Sequence, residues 1–91
     1  MDIGYVWDEA KYERVRSKRS IEFGEIVDVF EGEETLYEFD PQGNPGRLMA
    51  VGATRQGRIL QVIFTDDEAP LVRIITAFVA SKEWRYEFEK E

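Results

Sequence analysis

The chain has 91 residues, 43% of them apolar and 13% aromatic, enough for one domain with its own core and too few for two. It contains no cysteine and no histidine, which excludes disulfides, thiol chemistry, thiolate metal sites and the usual acid–base group of neutral pH. Its formal net charge of −7 argues against broad, non-specific affinity for nucleic acid, and no apolar run approaches the ~18–20 residues that span a bilayer.

Residues Met1 to Ala10 carry acids and no basic flank, so they form neither a signal nor a transit peptide, and the expected address is the cytoplasm. Ile3 to Trp7 alternate weakly, as a short edge strand does. Asp8 is a good N-cap, with Glu9 in the first turn where the helix dipole favours an acid, and a helix is expected from about Glu9 to Ser17. Its apolar face is thin (Ala10, Tyr12, Val15), so it belongs on the surface. Phe23, Ile26, Val27 and Phe30 then fall on one face of a second helix, which packs against the sheet. Ile21 is placed to staple onto Ile26, and Gly32 is a natural terminator.

After Glu34 the period becomes strand-like. Thr35 to Phe39 forms a short strand, ended by Asp40-Pro41 and Gly43-Asn44-Pro45-Gly46. Leu48 to Thr54 is the second strand, and Gln56-Gly57 turns into a third from Arg58 to Thr65. Asp66-Asp67-Glu68 is expected as a solvated hairpin loop, because three adjacent acids in a tight turn do not converge on one ion. Leu71 to Ala80 is a fourth strand, expected to be central because it is almost continuously apolar. Ser81 N-caps a last helix anchored by Trp84 and Phe88. The expected fold is therefore α+β over the whole chain, 1–91. It has two N-terminal helices, an antiparallel β-sheet of about four strands with short turns, and a C-terminal helix.

Charge is distributed in blocks. Lys11, Arg14, Arg16, Lys18 and Arg19 surround a single acid, Glu13, whereas the segment from Glu22 to Asp40 has acids and no base. The plain reading of the acidic block is solvated helix faces. An acidic, partner-facing surface is the alternative.

Trp7-Asp8-Glu9-Ala10-Lys11, Ile21-Glu22-Phe23 followed by Val29-Phe30, Arg47 shortly before Gly52, Val62-Ile63-Phe64-Thr65, Arg73-Ile74-Ile75-Thr76-Ala77, and Ser81 with Arg85 occur in an order and spacing that resembles the BrnT toxin family of bacterial type II toxin–antitoxin systems. The resemblance runs over nearly the whole chain. It implies a RelE-like fold and a small, metal-independent endoribonuclease without cofactor. The implied partners are a cognate, BrnA-like antitoxin, an RNA substrate, and operator DNA reached only through the antitoxin. The apolar sheet face and the last helix would be the docking surface for that antitoxin. Where the family usually has Lys-His, this chain has Lys18-Arg19. Its Glu-Arg before the second long strand is Gly46-Arg47, its Ile-Ser-Ala-Arg is Ile75-Thr76-Ala77-Phe78, and its Glu-Arg in the last helix is Trp84-Arg85.

Attack by a 2′-hydroxyl needs a group that orients it, cations around the pentavalent phosphorane, and help for the departing 5′-oxygen. By the resemblance, the candidate cluster is Lys18, Arg19, Arg47, Arg73 and Arg85. Arg73 lies in an apolar strand and is expected to face with Leu71, Ile75 and Ala77. An unpaired buried charge there is costly, so it needs a carboxylate, such as one on the second helix, a phosphate, or open solvent. For the other four, the competing reading is a solvated surface charge. Tyr5, Trp7 and Tyr12 are expected to serve helix–sheet packing rather than base stacking. The alternative function is a catalytically degenerate protein-binding module on the same fold.

Overall fold

A computed structural model describes residues 4–90. The element order is β1 (Gly4–Trp7), α1 (Glu9–Arg19), α2 (Phe23–Glu31), β2 (Leu36–Phe39), β3 (Leu48–Ala53), β4 (Ile59–Glu68), β5 (Leu71–Val79) and α3 (Lys82–Glu89). The strand expected from Ile3 is present from Gly4; Ile3 lies outside the described residues.

The sheet differs from the expected four antiparallel strands. It has five, in the order β1-β5-β4-β3-β2, and it is mixed, because β1 runs parallel to β5. A strand thus precedes the two N-terminal helices. Parallel neighbours need a long crossover, and here everything from α1 to β4 supplies it. The strand expected to be central, β5, stands next to β1 near one edge, and β4 holds the centre. The apolar run of β5 comes instead from cover on both faces, since its residues enter both core clusters.

Local chemistry accounts for the helices. Asp8 Oδ1 accepts from the Lys11 N–H at 3.0 Å, and Ser20 closes α1 in the left-handed region at φ 55°. At α2 the Glu25 carboxylate accepts from the Glu22 N–H at 3.0 Å, half of a capping box. Ile21 and Ile26, one residue before and four after that cap, are both fully buried in one cluster, as the staple requires. Ser81 Oγ accepts from the Trp84 N–H at 3.3 Å to start α3.

Two cores result. α1 and α2 cover one sheet face through Val15, Ile21, Ile26 and Val29 over Ala50, Leu60, Val62, Phe64, Ile74 and Ala77. Tyr5, Trp7 and Phe30 pack at its margin, with Trp7 edge-on to Tyr12 at 5.3 Å, so these aromatics serve packing. α3 covers the other face, where Trp84 and Phe88 lie on Met49, Val51 and Ile63. The apolar sheet face expected as a docking surface is therefore occupied by the chain's own helix. No helix among the described residues is long and apolar enough to cross a membrane.

Two irregularities correct the reading of β5. Ile63 opposes Thr76 while Phe64 opposes Ile74, so Ile75 is an extra residue in the ladder. Such a bulge flips the inward and outward sets. Ala77 consequently joins Ile74 in the α1/α2 core instead of facing with Ile75, which lies in the α3 core. Asp66, Asp67 and Glu68 are not a loop but the end of β4, with a second register shift between Thr65 and Glu68, and the turn falls at Ala69-Pro70.

Candidate functional site

Along α1, Lys11, Arg14 and Lys18 stand at i, i+3 and i+7, so a 3.6-residue period puts them on one face. Val15 between them is buried and seats the helix on the sheet. Arg16 points to another face and pairs with Glu13 at 2.9 Å. The cationic face of α1 looks over the upper half of β5, beyond the last β1–β5 pair, Trp7 with Ile74. There a groove of about 380 Å³ is lined by Lys11, Arg14, Lys18, Arg19, Arg47, Val15, Ile75 and Thr76.

Arg19 is tied to the strand. Its Nη1 donates to Thr76 Oγ1 at 3.1 Å and to the Ala77 carbonyl at 2.9 Å, and its guanidinium lies 5.7 Å from the Phe78 ring centre. The bulge at Ile75 and the early end of β1 together leave this stretch of strand open to it.

Arg47 reaches the groove from the first residue before β3, held there by a structured loop. The buried carboxylate of Asp40 accepts from the Gln42 N–H at 3.0 Å and from Asn44 Nδ2 at 2.8 Å. The Asp40 N–H donates to the Arg47 carbonyl at 3.1 Å, and Gly43 and Gly46 both take φ 75°, a region open to glycine. The Gln42 N–H, the Asn44 amide and, less, the Arg47 charge hold the Asp40 carboxyl below its ordinary value. A lowered folded-state value contributes stability that is complete above the unfolded value, ~3.9, and is lost as pH falls through the folded one. Acid titration of the folded protein is thus expected to release the 40–47 loop below about pH 4. In Asp40→Asn that step should vanish from amide chemical shifts of Gln42 to Arg47; its persistence would refute the assignment.

The C-terminus of α1 is fixed by a residue that sequence reading passed over. Arg58 Nη1 donates to the Ser20 carbonyl at 2.9 Å and to Glu25 Oε2 at 3.0 Å, and Nη2 donates to the Arg19 carbonyl at 3.4 Å. One guanidinium thereby joins the end of α1 to the cap of α2. Arg58→Ala leaves two helix-end carbonyls and a half-buried carboxylate without their donor. It is expected to cost about 1–2 kcal/mol in urea unfolding, partial exposure keeping the figure modest.

Of the five cations expected at the site, Lys18, Arg19 and Arg47 are brought together and Arg73 and Arg85 are not. Arg73 pairs with Glu68 at 2.9 Å, across the β4–β5 ladder rather than to the second helix, with both side chains nearly half exposed. Arg85 projects from α3 outside the groove lining. Lys11 and Arg14 complete the groove; their i, i+3, i+7 spacing with Lys18 was the signal for them in the sequence.

The pairing pattern separates this groove from the rest of the surface. Among the described residues Arg16, Arg55, Arg58, Arg73 and Lys90 each have a carboxylate partner, and none of them lines the groove. Among the described residues its five cations have no carboxylate within ion-pair distance, and no acid is in the lining. Unpaired like charges crowded together disfavour one another, and a polyanion relieves that cost. Among the described residues no group of His, Cys, Asp and Glu is arranged to hold a metal ion.

A family model described as the ribonuclease toxin BrnT of a type II toxin–antitoxin system matches residues 7–83. Among solved structures, the chain is similar to the crystal structure of the Brucella abortus ribonuclease toxin BrnT. The TM-score is 0.70 at 22% identity, over 89% of this chain and 100% of that one. No curated protein sequence matches.

Proposed function

The chain belongs to the BrnT family of ribonuclease toxins of type II toxin–antitoxin systems, and on that premise we propose that it cleaves RNA in the groove between α1, β5 and Arg47. Membership implies an antitoxin partner. The observation that carries the RNA reading is the gathering of five cations with no carboxylate within ion-pair distance among the described residues, in a chain of net charge −7.

In this reading the RNA backbone crosses the groove with its scissile phosphate between Arg47 and Arg19. The 2′-oxygen attacks phosphorus as its proton passes to water. The phosphorane charge that develops is met by cations already in position, which need little reorganisation. Arg19 is restrained by its bonds to Thr76 and Ala77, and Arg47 by its loop. The bond from phosphorus to the 5′-oxygen then breaks, and the Lys18 ammonium donates the proton that oxygen takes up. The products are a 2′,3′-cyclic phosphate and a free 5′-hydroxyl. The scheme uses protein cations alone.

The scaffold is of the RelE-like kind that the family implies. We assign antitoxin docking to the exposed aromatics Tyr37 and Phe39 on the edge strand β2 and Tyr86 on α3, none of which lines the cationic groove. A BrnA-like antitoxin would carry any contact to operator DNA. The test is the purified protein on single-stranded RNA, read by the formation of cyclic-phosphate ends, together with growth on induced expression in bacteria. Uncut RNA and normal growth would leave the binding-module alternative.

A further inference from the structure

A second depression, of about 300 Å³, adjoins the cationic groove and shares Arg47, Ile75 and Thr76 with it. A phosphate held at Arg47 therefore places the neighbouring nucleoside at this depression. Its lining is of a different kind. Phe78 and Trp84, both half-buried in the α3 core, contribute apolar aromatic surface. Phe78 also carries the Arg19 guanidinium, which links the aromatic surface to the phosphate groove. Flat aromatic surface beside a cationic track is the arrangement on which unpaired bases stack.

The two carboxylates of the lining, Asp40 and Glu83, differ in what they already bind. Asp40 is already engaged by Gln42 and Asn44. Asn44 commits one Nδ2 hydrogen to Asp40 and retains the other and its Oδ1. Glu83, next to Trp84 in the first turn of α3, is exposed and has no ion-pair partner within the described residues. A carboxylate with two free oxygens matches a base edge that presents two adjacent N–H donors. Guanine offers such an edge through its ring N1–H and its exocyclic amino group. Adenine and cytosine offer the amino group alone, and uracil a single N–H between two carbonyls. A carboxylate so close to the RNA track also repels phosphate, which leaves base recognition as the contact it favours.

We propose that the Trp84–Glu83 depression is a guanine-binding subsite, which selects RNA carrying an unpaired guanine beside the scissile phosphate. The proposal rests on the RNA-cleavage reading for its substrate class. Its experiment uses uncleavable 2′-O-methyl oligoribonucleotides that differ only in guanine, hypoxanthine, adenine or uracil at one position. Binding is measured by fluorescence anisotropy beside cleavage of the matching RNAs. The guanine oligomer should bind about tenfold tighter than the adenine one, the scale of a good bidentate base contact, with hypoxanthine between them. Glu83→Gln, an exposed change that leaves the core intact, should level guanine and adenine. Trp84→Phe should keep the guanine preference and lower affinity for all four. Equal binding of guanine and adenine by the unaltered protein, or a preference that survives Glu83→Gln, overturns the subsite. RNA that is cut without base preference removes the subsite and keeps the nuclease. Guanine-selective binding with no RNA cut removes the nuclease and keeps the subsite. Failure to bind any of the oligomers overturns both.

Discussion

Replacing Arg47 with alanine is expected to lower RNA cleavage by about 10²- to 10³-fold, the usual loss when one pre-positioned donor is removed from a transition-state anion. Arg47 is half-buried, has no ion-pair partner among the described residues, and lines both the cationic groove and the depression beside it. Its backbone is pinned at the end of the 40–47 loop, so little motion accompanies charge development. Arg47→Lys should recover only part of the rate, because a single ammonium lacks the planar fork that meets two phosphate oxygens. The cleanest comparison is with Arg73→Ala and Arg85→Ala. Arg73 is engaged by Glu68 and Arg85 lies off the groove, so both variants should cut at close to the unaltered rate. Initial rates on one RNA, with folding checked by circular dichroism, decide the matter. Equal loss in all three variants would mean that net positive charge, rather than this groove, drives the reaction. An Arg47→Ala enzyme of full activity would place the chemistry elsewhere.

The largest effect on stability is expected at Gly52. This glycine of β3 is buried, where the strand passes beneath the end of α2. A Cβ built there meets Thr35 Oγ1 at 2.7 Å and Val29 Cγ1 at 3.1 Å. The Thr35 hydroxyl cannot simply swing away, because it donates to the Val29 carbonyl near the end of α2. Gly32 abuts the same hydroxyl, with a Cβ position 2.9 Å from it, so two glycines and one threonine join α2 to the sheet. Gly32 ends its helix for this reason, since its φ of −70° is open to any residue. Gly52→Val should cost about 3 kcal/mol by overpacking. For a chain of this size that lowers the melting midpoint by roughly 12–24 °C. Gly52→Ala should cost less, and part of its cost should disappear in the double variant with Thr35→Ala. A double-mutant cycle that proves additive would show that the close approach is not what makes the glycine necessary.

Much of the frame follows from local chemistry. Asp8 and Ser81 cap α1 and α3 because their side chains reach free N–H groups of the turn that follows, and Glu25 reaches back to the Glu22 N–H at the start of α2. Ile26 is buried on the face that the 3.6-residue period predicts, and Ile21 staples onto it; Val29, outside the expected set, is buried in place of Phe23, Val27 and Phe30, which stay half-buried. The cationic face of α1 was also written in the spacing of Lys11, Arg14 and Lys18. Such features depend on neighbours within a turn or two, and the sequence by itself determines them.

Tertiary structure decided the rest. Whether Arg73 meets RNA or a carboxylate depended on β4 continuing through Glu68 to face it, and no local signal separates that strand end from a loop. The parallel pairing of β1 with β5 joins residues at opposite ends of the chain, and it leaves the upper edge of β5 free for Arg19. One extra residue at Ile75 exchanged the faces of the strand beyond it. Arg47 and Lys18 meet although 28 residues lie between them. Each of these outcomes is a pairing between distant segments. Its free energy belongs to the assembled sheet, and no single segment carries a record of it.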